Sequence, residues 1–339
     1  MSEINVFDKI DFKGLDTYLY DQDVTDINCR NNNEIWLTSN TKGHYKVQKH
    51  ITKEEIDNIA YQVANKMEKE FNPYNPCLEG DIITDDINLR VSAIHEHLSN
   101  DGTSLALRKI TRKSILSKEY LINTKYCSEQ AIDLLIKATI AKANIIIVGE
   151  TGCGKTELLK FLATHIPNNQ VIITIEDSLE FNIKDINPNA SCTAFRVKDG
   201  FDYCSIIAMC LRQNVTRLLL QEARGKEVLD LLNAMSTGHS VMTTIHAKDS
   251  TKLGVRVKQM LLDSNETIDS INMRLYSLVD LVVHIEKKVD EHGVFRYIDN
   301  IVEYDYDYET NTCINKLIYK YNTKLKPISK NLKERITNV

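Results

Sequence analysis

The segment from Gly149 to Thr156 has the residue types that a polyphosphate site needs. It reads GETGCGKT and matches the pattern G-x-x-x-x-G-K-[ST]. The glycines let consecutive backbone N–H groups turn toward one anion, the lysine adds a positive charge, and the threonine hydroxyl can ligate Mg²⁺. The alternative to a phosphate site is a glycine-rich turn that binds no ligand. The predicted cradle consists of Gly149, Glu150, Thr151, Gly152, Cys153, Gly154, Lys155 and Thr156.

A strand and a helix must hold this loop. An apolar strand at 144–148 precedes it, and ELLKFL continues after it as a helix whose N-terminal dipole points at the same anion. Further strand candidates lie at 171–175, 217–221, 241–245 and 281–285, with helical stretches between them. Continuous apolar strands separated by helices predict an α/β fold with a parallel sheet covered on both faces.

The residues before 110 predict a smaller α+β domain. Thr52 and Glu55 form a capping-box pattern, and an apolar stripe at helical spacing follows from Ile56 to Phe71. Strands are predicted at 34–38, 44–47, 87–94 and 104–110. The predicted division is an N-terminal domain at 1–110, a polar linker at 111–120 and the phosphate-loop domain at 121–339, which ends in a hairpin and a basic helix.

Composition restricts the class of protein. The 339 residues suffice for about two domains. The 42 basic and 47 acidic side chains give a net charge of -5, which argues against a nucleic-acid coat. Apolar runs fall short of the roughly 20 residues that cross a bilayer, and the first residues lack the pattern of a secretory signal. The eight cysteines form no C-x-x-C pair, so we expect neither a disulfide framework nor a zinc site.

The phosphate loop alone does not separate kinases, GTPases and motor ATPases. Three later segments narrow the choice: residues 175–180 read IEDSLE, residues 217–225 read RLLLQEARG, and residues 237–247 read TGHSVMTTIHA. In this order the four segments resemble the type II/type IV secretion and pilus-assembly ATPases, which are hexameric RecA-like motors. Residues 101–110, DGTSLALRKI, resemble a strand of the branch that serves type IV secretion and tight-adherence pili.

The resemblance implies roles for five side chains. Glu176 would orient the attacking water, with Glu180 next in line, and Glu222 would support Mg²⁺ together with the loop threonine. Glu176 and Glu222 could instead merely cap a helix. His239 and His246 resemble a histidine box that senses the γ-phosphate, although a lone histidine is more often structural.

Four arginines are further candidates. The chain has 42 basic residues, of which only 12 are arginine, and a guanidinium fits phosphate oxygens better than an ammonium does. Arg90 and Arg108 lie in segments that resemble those bringing arginines onto the nucleotide, and Arg212 and Arg224 lie in the phosphate-loop domain. Ordinary ion pairs are the alternative for each of them.

The chain also departs from the resembling pattern. Gln221 stands where glycine is usual before the strand-end glutamate, and Glu157 follows the phosphate loop where a second threonine is common. Asn214, Val215 and Thr216 replace a usual R-P-D. We expect slower turnover or altered subunit packing from Gln221 and Glu157, which would lie near the metal.

The leading hypothesis is an ATP-hydrolysing motor that uses ATP and Mg²⁺. The resemblance implies a homo-hexamer with nucleotide between the two domains of each subunit. It also implies a cytoplasmic location, with the ring held at the inner face of the membrane by a platform protein of a secretion, conjugation or pilus machine. A nucleotide-gated scaffold with little hydrolysis and a DNA-stimulated RecA-like motor are the alternatives. We do not expect nucleic acid as a direct ligand, because the net charge is negative.

Overall fold

The chain folds into two compact units. The computed structural model describes residues 10–30, 33–83, 88–110, 116–178, 180–198, 200–291 and 293–338. The first unit comprises residues 1–111 together with Val289–Phe295, and the second comprises 112–288 and 296–339. Residues 111–115 of the predicted linker lie outside the described ranges, and a helix already begins at Lys118.

The first unit is an antiparallel sheet with helices on one face. Its elements are α1 (Asp16–Tyr20), β1 (Val24–Arg30), β2 (Glu34–Ser39), β3 (Gly43–His50), α2 (Lys53–Lys66), β4 (Cys77–Ile83), β5 (Asn88–Ile94) and β6 (Ser104–Lys109). The sheet order is β3-β2-β1-β6-β5-β4, and each neighbouring pair is antiparallel. The predicted hairpin and the two later strands are confirmed from residue 88 onward, since residue 87 lies outside the described ranges.

Helix α2 begins as predicted and ends earlier. Thr52 accepts from the Glu55 amide, and the Glu55 carboxylate accepts from the Thr52 amide, which confirms the capping box. The predicted stripe to Phe71 is wrong for the last turn. Glu68 takes a left-handed φ of 53°, and the Lys69 amide donates to the carbonyl of Ala64, so a Schellman motif ends the helix at Lys66.

The second unit carries a mixed sheet. Its strands are β7 (Ile145–Val148), β8 (Val171–Glu176), β9 (Ser191–Arg196), β10 (Arg217–Ala223), β11 (Ser240–Ile245), β12 (Leu281–Asp290), β13 (Gly293–Asp307) and β14 (Thr312–Lys320). Its helices are α3 (Lys118–Asn123), α4 (Glu129–Ile140), α5 (Lys155–Ala163), α6 (Ile183–Ile186), α7 (Tyr203–Cys210), α8 (Glu227–Ser236), α9 (Leu253–Met260), α10 (Ile268–Leu278) and α11 (Lys330–Thr337).

The parallel strands form the core of this unit. The sheet order is β14-β13-β12-β7-β11-β10-β8-β9, and the strands from β12 to β9 run parallel. Strand β7 is an all-buried run of β-branched residues, IIIV, as a strand covered on both faces should be. Two separate apolar clusters cover the two faces, one built around α4 and α5 and the other around α8, α9 and α10. The predicted α/β class and its five parallel strands are confirmed.

The strands β12 and β13 are connected by a segment that packs with the first unit. This segment, Val289–Phe295, includes the last residues of β12 and the first of β13. The division predicted from the sequence places it in the phosphate-loop domain. The Val294 amide donates to the carbonyl of Thr41 at 2.8 Å. Gly293 has a φ of 121°, and a Cβ on it would lie 2.2 Å from the same carbonyl oxygen, so the close approach requires glycine.

The C-terminal hairpin and basic helix are confirmed. β13 and β14 pair antiparallel, and Asn311 in their turn has a left-handed φ of 52°. Helix α11 packs against the second unit. Its Leu332 is buried in the apolar cluster there, and the Arg335 guanidinium contacts both carboxylate oxygens of Asp280, at 2.5 and 3.2 Å. Among the described residues, no helix has the length and apolar character to cross a bilayer.

Candidate active site

The parallel strands bring four of the predicted segments to one edge. The phosphate loop follows β7, Glu176 ends β8, Glu222 lies near the end of β10, and His246 follows β11. The carboxyl ends of parallel strands are where open α/β sheets bind ligands. From a strand spacing of about 4.8 Å, β10 lies about 10 Å from β7 and β8 lies about 14 Å from it.

The phosphate loop has the backbone that its sequence predicts. Gly149, Gly152 and Gly154 have φ values of 152°, 73° and 99°. A Cβ on Gly149 would lie 2.5 Å from the carbonyl oxygen of Ile285 and 2.7 Å from the Cys153 sulfur, so only glycine fits. The Cys153 side chain is buried beneath the loop, as expected for a small filler. Helix α5 starts at Lys155, within the last two residues of the loop, and its first N–H groups have no partner within the helix.

The Lys155 ammonium group donates to three acceptors within the site. Its Nζ donates to the carbonyl oxygens of Gly149 at 3.0 Å and Glu150 at 2.9 Å, and it contacts His246 Nδ1 at 3.1 Å. Burial lowers the pKa of Lys155, and the nearby Glu222 carboxylate opposes that shift. The ammonium is thus held at the mouth of the loop by three acceptors.

His246 joins the loop lysine to the acidic side of the site. Its Nε2 lies 3.1 Å from Glu222 Oε1 while Nδ1 accepts from Lys155, which assigns the Nε2–H tautomer. Burial and the Lys155 charge lower the pKa of His246. The imidazole is therefore neutral at pH 7 and relays a hydrogen bond from the lysine to the carboxylate.

Glu222 and Arg224 continue the network. Arg224 Nη2 donates to Glu222 Oε2 at 3.0 Å, and Arg224 Nη1 donates to Asp177 Oδ2 at 3.1 Å. The hydrogen bond to Glu222 raises the pKa of Arg224, so its charge is secure. The structure thus joins the predicted residues Lys155, His246, Glu222 and Arg224 in one network, which also includes Asp177.

Glu176 lies at the same edge with its carboxylate turned into its own loop. Oε1 accepts from the Thr174 hydroxyl at 2.8 Å, and Oε2 accepts from the amides of Glu180 at 2.6 Å and Phe181 at 2.8 Å. The residue is 1% exposed, and burial raises its pKa to about 7 despite these hydrogen bonds. A cavity of about 170 Å³ adjoins it, lined also by Asn182 and Lys184.

His239 is separated from the rest of the site. It precedes β11, whereas His246 follows that strand, so the two histidines lie about 20 Å apart along it. Its Nδ1 contacts the Thr237 hydroxyl at 3.0 Å and the Ala234 carbonyl at 3.2 Å, at the end of α8. The two histidines thus flank β11 as the sequence predicts, and among the residues described here it is His246 that contacts the loop lysine; the role of His239 stays a prediction.

The other three candidate arginines lie on other elements. Arg212 is exposed in the turn before β10, at the amino edge of the sheet. Arg90 and Arg108 face each other on β5 and β6 of the first unit, and Arg108 Nε is 2.7 Å from Asp26 Oδ1. Their predicted contact with nucleotide stays a prediction.

Sequence reasoning missed two cations at the loop. Lys287 Nζ lies 3.4 Å from the Thr151 carbonyl oxygen, and Arg296 Nε lies 3.4 Å from that of Gly152. They come from β12 and β13, more than 130 positions further along the chain. A contact at that separation leaves no local pattern, so no spacing in the sequence could have found it.

The buried carboxyl of Glu176 predicts a pH dependence of stability. Its pKa is about 7 in the folded chain against an ordinary value of 4.5, so the folded state binds more protons between those values. The stabilisation is present below pH 4.5 and is lost as the pH rises through 7. At 1.36 kcal/mol per unit the loss is about 3 kcal/mol.

We expect the Glu176→Gln variant to flatten this dependence. The amide oxygen can still accept from the two loop amides, and the amide NH₂ can donate to the Thr174 hydroxyl. Thermal unfolding at pH 5 and pH 8 should separate the wild-type midpoints by several degrees more than those of the variant. Glu309→Gln, on an exposed turn, is the matched control and should keep the wild-type dependence.

Comparison with known proteins identifies the family of this chain. Residues 45–334 match the model of the type II/IV secretion system protein family. An uncharacterised protein of Bacillus anthracis is 29% identical over 293 residues, which cover 83% of this chain and 65% of that protein. The type IV secretion system protein VirB11 of Brucella suis is 33% identical over 181 residues, 50% of each chain. The chain thus spans about half to two thirds of the length of these relatives.

A solved structure supports the fold. The X-ray structure of the Legionella pneumophila ATPase DotB superposes with a TM-score of 0.65 over 85% of this chain and 78% of that one, at 16% identity. At that identity the likeness concerns the fold, and it confirms the expected RecA-like phosphate-loop domain with a smaller α+β domain. Because the family model covers most of the chain, this protein belongs to the type II/IV secretion system protein family.

Proposed function

We propose that this chain is an ATPase that hydrolyses ATP to ADP and phosphate to drive a membrane secretion, conjugation or pilus machine. The observation that carries the proposal is the continuous hydrogen-bonded path from the phosphate-loop lysine through His246 to Glu222. Membership of the secretion family supports it, as do the relatives that are named as an ATPase and as a type IV secretion protein.

Phosphate binding would act first on Lys155. An ammonium has three N–H donors, and all three are used within the site. An incoming β- or γ-phosphate must therefore replace at least one of those acceptors. If it replaces His246, the imidazole loses a donor on Nδ1 while Nε2–H still faces Glu222. The histidine would in this way report the state of the phosphate to the acidic side of the site.

Thr156 and Glu222 are the residues that would hold Mg²⁺. The Thr156 hydroxyl stands partly exposed on the first turn of α5, and the Glu222 carboxylate lies partly buried at the same edge. Hydroxyl and carboxylate oxygens are the hard ligands that this ion prefers, so the donor set fits. When bound, Mg²⁺ neutralises charge on the β- and γ-phosphate oxygens.

Glu176 is our candidate for the group that orients the attacking water. A glutamate raised to a pKa of about 7 suits a base that works near neutral pH. To reach water its carboxylate must exchange at least one hydrogen bond with the loop amides of Glu180 and Phe181. Hydrolysis would thus be coupled to a rearrangement of that loop.

We expect Glu176→Gln to lower the phosphate-release rate by about a hundredfold or more, because an amide cannot accept the proton. The wild-type rate should rise with pH through about 7 as the carboxyl ionises, and the variant should lack that rise. Phosphate release measured between pH 5.5 and 8.5 tests both, with Glu309→Gln as the control. A variant that hydrolyses at the wild-type rate would reduce Glu176 to an anchor of its loop.

The machine and the assembly are also part of the proposal. We propose a homo-hexamer that engages an inner-membrane platform protein from the cytoplasmic side. A ring predicts that specific activity falls on dilution together with the hexamer measured by sedimentation. Undiminished activity in a monomer would reject the ring. Equal, near-zero phosphate release from the wild type and Glu176→Gln would favour a nucleotide-gated scaffold.

A further inference from the structure

We propose that Gln221 is a positioning residue for hydrolysis: its side chain ties the loop after β8 to the strand that carries Glu222. The inference rests on the proposed ATPase function. Gln221 is only 5% exposed, and its Oε1 accepts from the backbone amide of Asp177 at 3.1 Å. The sequence places Asp177 directly after Glu176, so this one bond joins the two acidic segments of the site.

The backbone of Gln221 is tied to the other side as well. Its carbonyl oxygen accepts from the Thr244 hydroxyl of β11 at 2.8 Å, and Thr244 itself is buried. Gln221 therefore bonds the ends of three parallel strands, β8 through its side chain, β11 through its carbonyl and β10 as a member of it. His246 follows Thr244 by two residues, so the histidine is held by the same arrangement.

Gln221 also lies at an irregularity of strand pairing that orients the side chain of Glu222. The pairing of β10 with β11 shifts between Leu220 and Ala223, which leaves Gln221 and Glu222 in the shifted segment. An extra residue in a strand bends it and re-aims its side chains, and such sites occur beside active sites. The two hydrogen bonds of Gln221 hold this segment in the one conformation that presents Glu222 to His246 and Arg224.

A second connection between the same segments is weaker. Arg224 bridges Asp177 and Glu222, but its side chain is 55% exposed, and exposed ion pairs are screened by water and salt. The Gln221 bond is neutral and buried, so it does not depend on ionic strength. We infer that Gln221 sets the spacing between the two acidic segments and Arg224 only reinforces it.

The test compares two substitutions at one position. Gln221→Met has similar length and no acceptor, so the Asp177 amide loses its partner; Gln221→Glu keeps an oxygen acceptor. We expect Gln221→Met to lower kcat for ATP about tenfold with KM within about twofold, because the phosphate loop is untouched. Gln221→Glu should regain at least half of the lost rate. Gln213→Met, on an exposed turn, is the matched control and should keep the wild-type kcat.

Amide hydrogen exchange supplies the structural readout. Exchange at the Asp177 amide should speed up in Gln221→Met and return toward the wild-type rate in Gln221→Glu. Unchanged exchange in Gln221→Met, or faster exchange with a wild-type kcat, overturns the inference. A wild-type chain that releases no phosphate overturns the proposed function instead, whereas an active wild type with an equally active Gln221→Met overturns only the positioning role.

Discussion

A chain carrying Lys155→Ala is expected to lose phosphate release by about a hundredfold to a thousandfold, the range observed when one preorganised donor to developing charge is removed. Lys155 is the buried cation at the phosphate loop, and it also donates to the carbonyl oxygens of Gly149 and Glu150. Under the proposed function, the variant removes the charge that would contact the phosphates, and it frees two carbonyls of the loop. Both effects weaken binding of the triphosphate as well as its hydrolysis.

Ligand-induced stabilisation separates these effects from unfolding. A ligand at a hundred times its Kd stabilises a protein by about 2.7 kcal/mol, so ATP should raise the wild-type Tm by several degrees and the Lys155→Ala Tm hardly at all. Lys137→Ala, on the exposed face of α4, is the matched control and should behave as the wild type. An alanine variant that keeps both its ATP-induced Tm rise and its rate would refute the phosphate site.

The part of this site that sequence predicts well is the part that is local. A glycine-rich loop between a buried strand and a helix needs only neighbouring residues, so its conformation follows from the pattern GETGCGKT. The five parallel strands follow from continuous apolar runs for the same reason. Strand β9 was not predicted, because SCTAFR lies partly exposed at the sheet edge and has neither a continuous run nor a clean alternation.

Contacts between distant segments are the part that sequence cannot predict. Gln221 was noted only as a departure from a pattern, yet its oxygen meets the amide of Asp177 across neighbouring strands. Lys287 and Arg296 reach the loop from strands β12 and β13. His239 and His246 lie at opposite ends of β11, about 20 Å apart, and a shared role for the two stays a prediction.

The amino edge of the sheet shows the same dependence on distant contacts in a structural role. Arg217 begins β10 and is 0% exposed. Its guanidinium donates to the Gln170 side chain at 2.6 Å, to the Ser240 hydroxyl at 2.8 Å and to the carbonyls of Thr139 and Ile140. Burial lowers the pKa of Arg217 to about 10, which leaves it charged at neutral pH.

None of these four acceptors is a carboxylate, yet they explain how the buried Arg217 cation is tolerated. Thr139 and Ile140 are the last residues of α4, where the carbonyls lack their i+4 amide partners and the helix dipole presents partial negative charge. Helix α4 leads directly into β7 and the phosphate loop. Arg217 therefore fastens the end of that helix to β10 and β11, and so fixes the strand that delivers the loop.

We expect Arg217→Met to destabilise the fold by about 2–4 kcal/mol, because it removes a donor from four buried or partly buried acceptors, at about 1–3 kcal/mol for each one left unsatisfied. That corresponds to a Tm lower by roughly 5–15 °C. Arg217→Lys should recover part of the loss, since an ammonium can serve some of the four acceptors. Thermal and urea unfolding measure the change in stability. Arg212→Met is the control, because Arg212 lies exposed in the turn before β10. It should change the free energy of unfolding by less than about 0.5 kcal/mol. Equal Tm values for the two methionine variants would show that the α4 carbonyls find other donors and that the amino edge does not need its buried charge.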